Sequence, residues 1–168
     1  QRILPQLLVA LYQNYPLIDI SINEMSNEKQ VEQILKNQLD IGFVRMLDES
    51  AVLNYINVMT EHFVLVVPKN SPWTKYKRID FSTLKDEKFI LFGKEYSNHY
   101  YTLVMSIFED HNFTPQIALR TVNAMSIFNL VAQGIGVAIV PESLSKGYNI
   151  AVDFIALKHL RQRTTLSI

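Results

Sequence analysis

Residues Val131 to Pro141 read VAQGIGVAIVP. An apolar helix end runs into Gly134 and Gly136, then an apolar strand, then a proline. Two glycines around one residue let the chain turn sharply off a helix, because glycine tolerates positive φ. Val137, Ala138, Ile139 and Val140 carry no polar alternation, which predicts a strand covered on both faces. Pro141 lacks an N–H and is expected to stop the ladder there. By itself the stretch is a helix–turn–buried-strand unit of an α/β protein.

Working outward, the same alternation of element types recurs. Leu4, Leu7, Leu8, Leu11, Tyr12 and Tyr15 fall at helical spacing, so residues 2–14 read as an amphipathic helix ended by Pro16. Ile18, Ile20 and Ile22 alternate with Asp19, Ser21 and Asn23, which predicts a strand with one wet face. Ser26 is placed as an N-cap, with Lys29 in the position where a capping box would have Glu. Val31, Ile34, Leu35 and Leu39 form the next helix face, followed by a short buried strand, Ile41 to Val44, ending at Arg45. Residues 46–53 read as a polar loop and 54–60 as a weak strand. Phe63–Val67 is a strong strand stopped by Pro68, and 69–77 is a loop marked by Asn70, Ser71 and Pro72.

Phe81 and Leu84 fit a short helical turn, Phe89–Phe92 a strand, Asn98–His111 a helix, and Gln116–Arg120 a strand. Asn123 caps a helix whose inner face is Ser126 or Ile127, Leu130 and Val131. Beyond Pro141 come a helical turn at 142–145 and strands at 151–157 and 164–168. The alternation predicts an α/β chain. Breaks at 69–77 and 146–149 suggest one lobe made of the two ends, 1–68 and 147–168, and a second lobe, 69–146, inserted between them.

Composition narrows the function classes. The 168 residues carry 16 basic and 16 acidic side chains, a formal net charge of zero. Phosphate binding needs clustered Lys and Arg, so this segment is not expected to hold nucleic acid by itself. The nearest basic runs, Lys75–Arg78 and Lys158–Arg163, read as solvated loops. With no cysteine, disulfides and thiol catalysis are excluded. No apolar run approaches the ~20 residues of a membrane span. No signal peptide is visible, but the sequence starts at Gln1, so its beginning reads as cut.

The ordered pieces LPQLLVALYQNYPLIDISI, LDIGFVR, VLVVPKNSPW and FTPQIALRTVNAMSIFNLVAQGIGVAIVP resemble the effector-binding domain of LysR-type transcriptional regulators. The resemblance covers nearly the whole chain. It implies two Rossmann-like lobes joined by crossover strands, a periplasmic-binding-protein-like (type 2) fold, with crossovers near Val64–Pro68 and near Val140–Pro141. It also implies a small effector between the lobes and subunits that assemble as homodimers or homotetramers. Ile3–Tyr15 and the 123–132 helix would be the dimer faces; their apolar residues could equally be core. DNA would be bound through an N-terminal winged helix-turn-helix that is not in this sequence. The family's first strand, before the helix at Gln1, and its last helix, after Ile168, are also expected to lie outside it. RNA polymerase is a further candidate partner, the compartment is expected to be the cytoplasm, and neither cofactor nor membrane is called for.

Open α/β sheets put ligands at the carboxyl ends of strands, where helix N-termini point and favour anions. Those positions are Ser26 and Asn27, Arg45, Ser97 and Asn98, and Asn123, with Thr121 and Val122 on the same edge. Ser26, Ser97 and Asn123 could each hold a ligand carboxylate or simply cap a helix. Arg45 could grip a carboxylate through paired hydrogen bonds, or pair at the surface with Asp48 or Glu49. Tyr96, Tyr100 and Tyr101 could be core or could close over an aromatic effector. His99, beside Ser97 and Asn98, could contact a ligand or stand at an exposed helix start. His62, His99, His111 and His159 have no metal spacing, and no GxSxG elbow or dinucleotide fingerprint exists. Three functions stay open, in this order: the regulator's ligand-sensing domain, an extracytoplasmic solute-binding protein of a transporter, and an enzyme on the same fold, for which no catalytic constellation is visible.

Overall fold

The computed structural model describes residues 3–45 and 52–168. Seven strands, four α-helices and three short 3-10 turns form two sheet systems. The larger contains β2 (Phe63–Pro68), β3 (Lys88–Phe92), β4 (Gln116–Thr121), β5 (Ala138–Pro141) and β6 (Val152–Ala156). β2 pairs antiparallel with β5 on one side and with β6 on the other. β3 and β4 are parallel, and a bridge between Phe89 and Val137 joins β3 to the strand leading into β5. The order across this sheet is therefore β4, β3, β5, β2, β6. The smaller system pairs β1 (Asn57–Glu61) antiparallel with β7 (Thr164–Ser167), and Val44 bridges to Ser167 on the other side of β7.

Phe63–Val67 of β2, Phe89–Phe92 of β3 and all of β5 are buried without alternation, as a sheet covered on both faces requires. The covers are α3 (Asn98–Asp110) and α4 (Ala124–Ala132). Phe63 of β2 meets Tyr100 of α3 at 6.0 Å between ring centroids. Phe154, which pairs with Val66 on the opposite face of β2, meets Phe128 of α4 at 5.4 Å. Because side chains alternate along a strand, α3 and α4 lie on opposite faces. Pro68 and Pro141 are each the last residue of a strand, the position where a missing N–H costs the ladder nothing further.

The opening motif divides its work between its glycines. Gly134 has φ +74°, the left-handed turn expected after a helix. Gly136 is required for space: a Cβ there would stand 2.3 Å from the Lys88 carbonyl oxygen of β3. That approach allows Val137 N–H to donate to Lys88 O at 2.8 Å and Ile90 N–H to donate to Val137 O at 2.9 Å.

Two expected strands change. Residues 18–22 form no strand, because no described segment pairs with them. Of 41–44, only Val44 makes a bridge. The helices there form, α1 as Ile3–Asn14 and α2 as Asn27–Leu35, but α2 ends at its Lys36 cap, so Leu39 lies beyond the helix face on which it was expected. The expected loop at 46–53 lies outside the described residues as far as residue 51, including Asp48 and Glu49. A single residue, His62, separates β1 from β2, and residues 157–163 join β6 to β7, so two crossings connect the systems.

Candidate functional site

Each capping candidate does cap its helix. Ser26 Oγ accepts from Lys29 N–H at 3.2 Å at the start of α2. Ser97 is fully buried, and its Oγ accepts from Tyr100 N–H at 3.2 Å at the start of α3. Asn123 Oδ1 accepts from the Met125 and Ser126 amides at 2.8 and 3.2 Å, opening α4. Thr121 Oγ1 accepts from Asn123 N–H at 3.3 Å, and Thr121 O accepts from Gly93 N–H at 3.0 Å. Thr121 and Asn123 thus stand beside the Gly93–Ser97 turn, since β3 and β4 run parallel and end together.

Arg45 is held at a hub between the sheets. Its Nη2 donates to Glu61 Oε1 at 2.5 Å, in an ion pair that is almost wholly buried. Nη1 reaches Thr164 Oγ1 at 3.3 Å and Nη2 reaches Ser143 Oγ at 3.4 Å. Glu61 in turn accepts from Ser143 Oγ at 3.0 Å and from the Ser143 amide. Asn27 Nδ2 donates to Arg45 O at 2.8 Å, which ties the start of α2 to the hub. Removing either ion from a buried pair leaves the other uncompensated, so the hub is a fixed pivot where β1, β7 and the turn after β5 meet. Among the described residues, the acid paired with Arg45 is Glu61.

An aromatic column rises from the larger sheet toward this hub. Phe92 stacks on Tyr96 at 4.4 Å, and Tyr100 meets Tyr96 edge-on at 5.8 Å. Burial pushes the Tyr100 phenol well above its usual value, with a further rise from Tyr96. The Tyr96 phenol is raised by burial too, offset by the nearby positive charge of Arg45. Both stay neutral hydroxyls at physiological pH. Tyr101 faces outward instead, between Lys94 and Arg120.

The starts of α2 and α3 face each other. Asn98 N–H, the first of α3, donates to Glu28 Oε1 of α2 at 2.9 Å, across 70 positions of sequence. Ser26, Asn27, Arg45, Ser97 and Asn98 are therefore brought to one region, with Thr121 and Asn123 on its flank. Among the described residues no group of three or more His, Asp or Glu side chains is arranged to hold a metal.

The sequence matches the LysR substrate binding domain family over residues 1–161. The chain belongs to this family. Among curated proteins, the transcriptional regulator AlsR of Bacillus subtilis (strain 168) is 28% identical over 151 residues, covering 90% of this chain and 50% of that protein. The effector binding domain of BenM, solved with its effector benzoate, matches with a TM-score of 0.81 at 24% identity, covering 98% of this chain and 76% of that one. The effector binding domain of QuiR in complex with shikimate gives 0.79 at 19% identity, covering 98% and 79%. These likenesses show the two-lobe, periplasmic-binding-protein-like (type 2) fold, the architecture the motif order implied. The chain spans about half the length of the curated relatives it matches.

Within this LysR substrate-binding domain, Glu28, Glu61, Ser143 and Thr164 are the site-region residues that the sequence did not single out. Glu61 lies 16 positions from Arg45 with no local pattern around it, and Ser143 and Thr164 join only through tertiary packing. A lone acid at the end of a predicted strand was the one available signal for Glu61. For Glu28, the first-turn acid of α2 reads as a helix-dipole partner.

Proposed function

We propose that this chain is the ligand-sensing regulatory domain of a LysR-type transcriptional regulator, taking a small carboxylate effector between its lobes. The observation that carries this reading is the convergence of two helix starts, α2 and α3, from different lobes, beside the buried Arg45 hub. Helix N-termini favour anions, and a guanidinium has five donors, which Glu61, Ser143 and Thr164 engage only through Nη1 and Nη2. Benzoate and shikimate, named with two structural neighbours, are both small carboxylates. The relatives are named as transcriptional regulators, which favours this reading over a transporter's solute-binding protein and over an enzyme. Ser26, Asn27, Arg45, Ser97, Asn98, Thr121 and Asn123 are the proposed contacts.

The lobe division follows the same logic. Strands β5 and β6 both pair with β2, so the smaller lobe is taken as the chain before Phe63 together with residues from about Thr164 onward. That moves the ends of the division read from loop composition, 1–68 and 147–168 against 69–146. Self-association through the 3–15 segment and α4 is supported by exposed Val9 and Tyr12 on α1, Tyr15 just after it, and Met125 on α4. In the whole protein, located in the cytoplasm, effector binding would shift subunit geometry and so reposition a DNA-binding segment outside this chain.

The test is a thermal-shift screen of small carboxylates, aromatic acids and amino acids. A ligand at 100 times its Kd stabilises the fold by about 2.7 kcal/mol. Arg45→Ala combined with Glu61→Gln, which leaves no unpaired buried carboxylate, should abolish the shift measured from that variant's own ligand-free midpoint. A shift of undiminished size would remove Arg45 from the site. Silence across the whole screen would count against a carboxylate effector.

A further inference from the structure

We infer that Glu28 is a clasp that holds the lobes together at the rim of the cleft, and that its bond to Asn98 sets how often the cleft opens. The inference deepens the effector-binding reading and rests on it for its biological meaning, though not for its test. Glu28 sits in the first turn of α2 and Asn98 is the first residue of α3, and on either division of the chain the two fall in different lobes. The Glu28 carboxylate accepts the first free amide of α3 at 2.9 Å. That amide has no acceptor within its own helix, because the first four N–H groups of any helix lack one. Ser97 Oγ is already committed to Tyr100 N–H, so it does not serve this donor.

The contact has the geometry of a latch. Both residues are exposed, so the bond lies at the surface. The carboxylate stands between the positive ends of two helices, its own and the one across the cleft. A departing ligand has to wait for the clasp to part. Glu28 is in this sense a positioning residue: it touches the opposite lobe and acts on the ligand through closure.

The absence of cysteine makes the test direct. Cysteines introduced at Gln38, beyond the end of α2, and at Glu109, near the end of α3, take spin labels whose separation reports the lobe angle. Both positions are exposed. Two variants remove the bond in different ways. Glu28→Asp keeps the charge at the start of α2 but shortens the reach by one methylene. Asn98→Pro deletes the donor at a position where helices accept proline, and Ser97 before it already has the extended conformation proline demands, φ −168° and ψ 120°.

Each variant should raise the population at the longer separation about two- to fivefold, the scale of one exposed charge at a helix start. Combining them should add nothing further, because both delete the same bond. Raising the ionic strength to about 1 M should shift the parent protein in the same direction. Unchanged distance distributions in both single variants would overturn the clasp. So would additive effects, which mean that the two residues act separately. The measurement needs no ligand, so a failed ligand screen and a failed clasp are separate results.

Discussion

The stretch from Phe63 to Leu160 and the stretch from Ile3 to Arg45 use the same sequence vocabulary with opposite results. Among the described residues, every buried apolar side chain except Val44 lies in the first of these. Its helices bury whole faces: Tyr100, Val104, Ile107 and Phe108 on α3, and Ala124, Ile127, Phe128 and Val131 on α4. α1 has an equally regular apolar stripe and buries none of its residues, while Leu17 is 98% exposed. An amphipathic pattern states which face gains by burial; what lies against that face decides whether the gain is realised. Buried apolar surface among the described residues is concentrated in the 63–160 stretch, and the 3–45 stretch meets the rest of the chain through polar contacts that include the Arg45 hub and the Glu28 bond.

Core truncation probes that contrast with the largest effect. The Phe108 ring packs edge-on against Phe89 at 4.8 Å and Phe113 at 5.3 Å, with Phe81 at 6.5 Å. Phe108→Ala should cost about 3–5 kcal/mol of unfolding free energy in urea titration. Leu11→Ala on half-buried α1 should cost about 1 kcal/mol, because much of its surface already meets water. Equal losses at the two positions would break the contrast between lobes.

The glycine pair gives a smaller and sharper comparison. Gly136→Ala forces a Cβ against backbone, the Lys88 carbonyl, which cannot swing aside as a side-chain tip would. A loss of about 2–3 kcal/mol is expected, at the upper end for added volume in a packed site. Gly134→Ala meets no atom within 4 Å and bears only the cost of φ +74°, about 1 kcal/mol. Reversed magnitudes in denaturant titration would mean that the turn, and not the β3 contact, is what this motif protects.

These two glycines mark how far the sequence could be read. GIGVAIV signalled a turn into a buried strand, and both exist. The role of Gly136, however, depends on Lys88, a residue 48 positions away whose carbonyl has no signature in sequence. The same limit explains the site. Ser26, Ser97 and Asn123 were legible because capping is local, set within three residues. Glu61 and Ser143 were not, because their bond closes over 82 positions. Strand reading failed at 18–22 for a related reason: alternation marks a strand's two faces, whereas hydrogen bonding along its edges needs a neighbour that the pattern does not specify.

The smallest expected effect is a pH dependence confined to the larger lobe. His159 lies edge-on to Phe81 at 6.3 Å, and its Nε2 is buried without a partner among the described residues. Burial holds its pKa below the ordinary value of 6.5, helped by the positive charge of Arg78 and by His111. A folded pKa below the unfolded one means that the unfolded chain binds more protons in the interval between them. The stabilisation is therefore complete above about pH 6.5 and lost as pH falls through the folded value. Asp80 and Asp110 are lowered as well, by hydrogen bonds from Ser82 and from Arg161 respectively, but their losses begin only in the more acidic carboxylate range. Unfolding free energy measured from pH 7.5 to 5.5 should thus fall less steeply in His159→Gln than in the parent chain. Parallel curves throughout would mean that water reaches the His159 ring in solution and that the Phe81 side of this core is looser than its packing indicates.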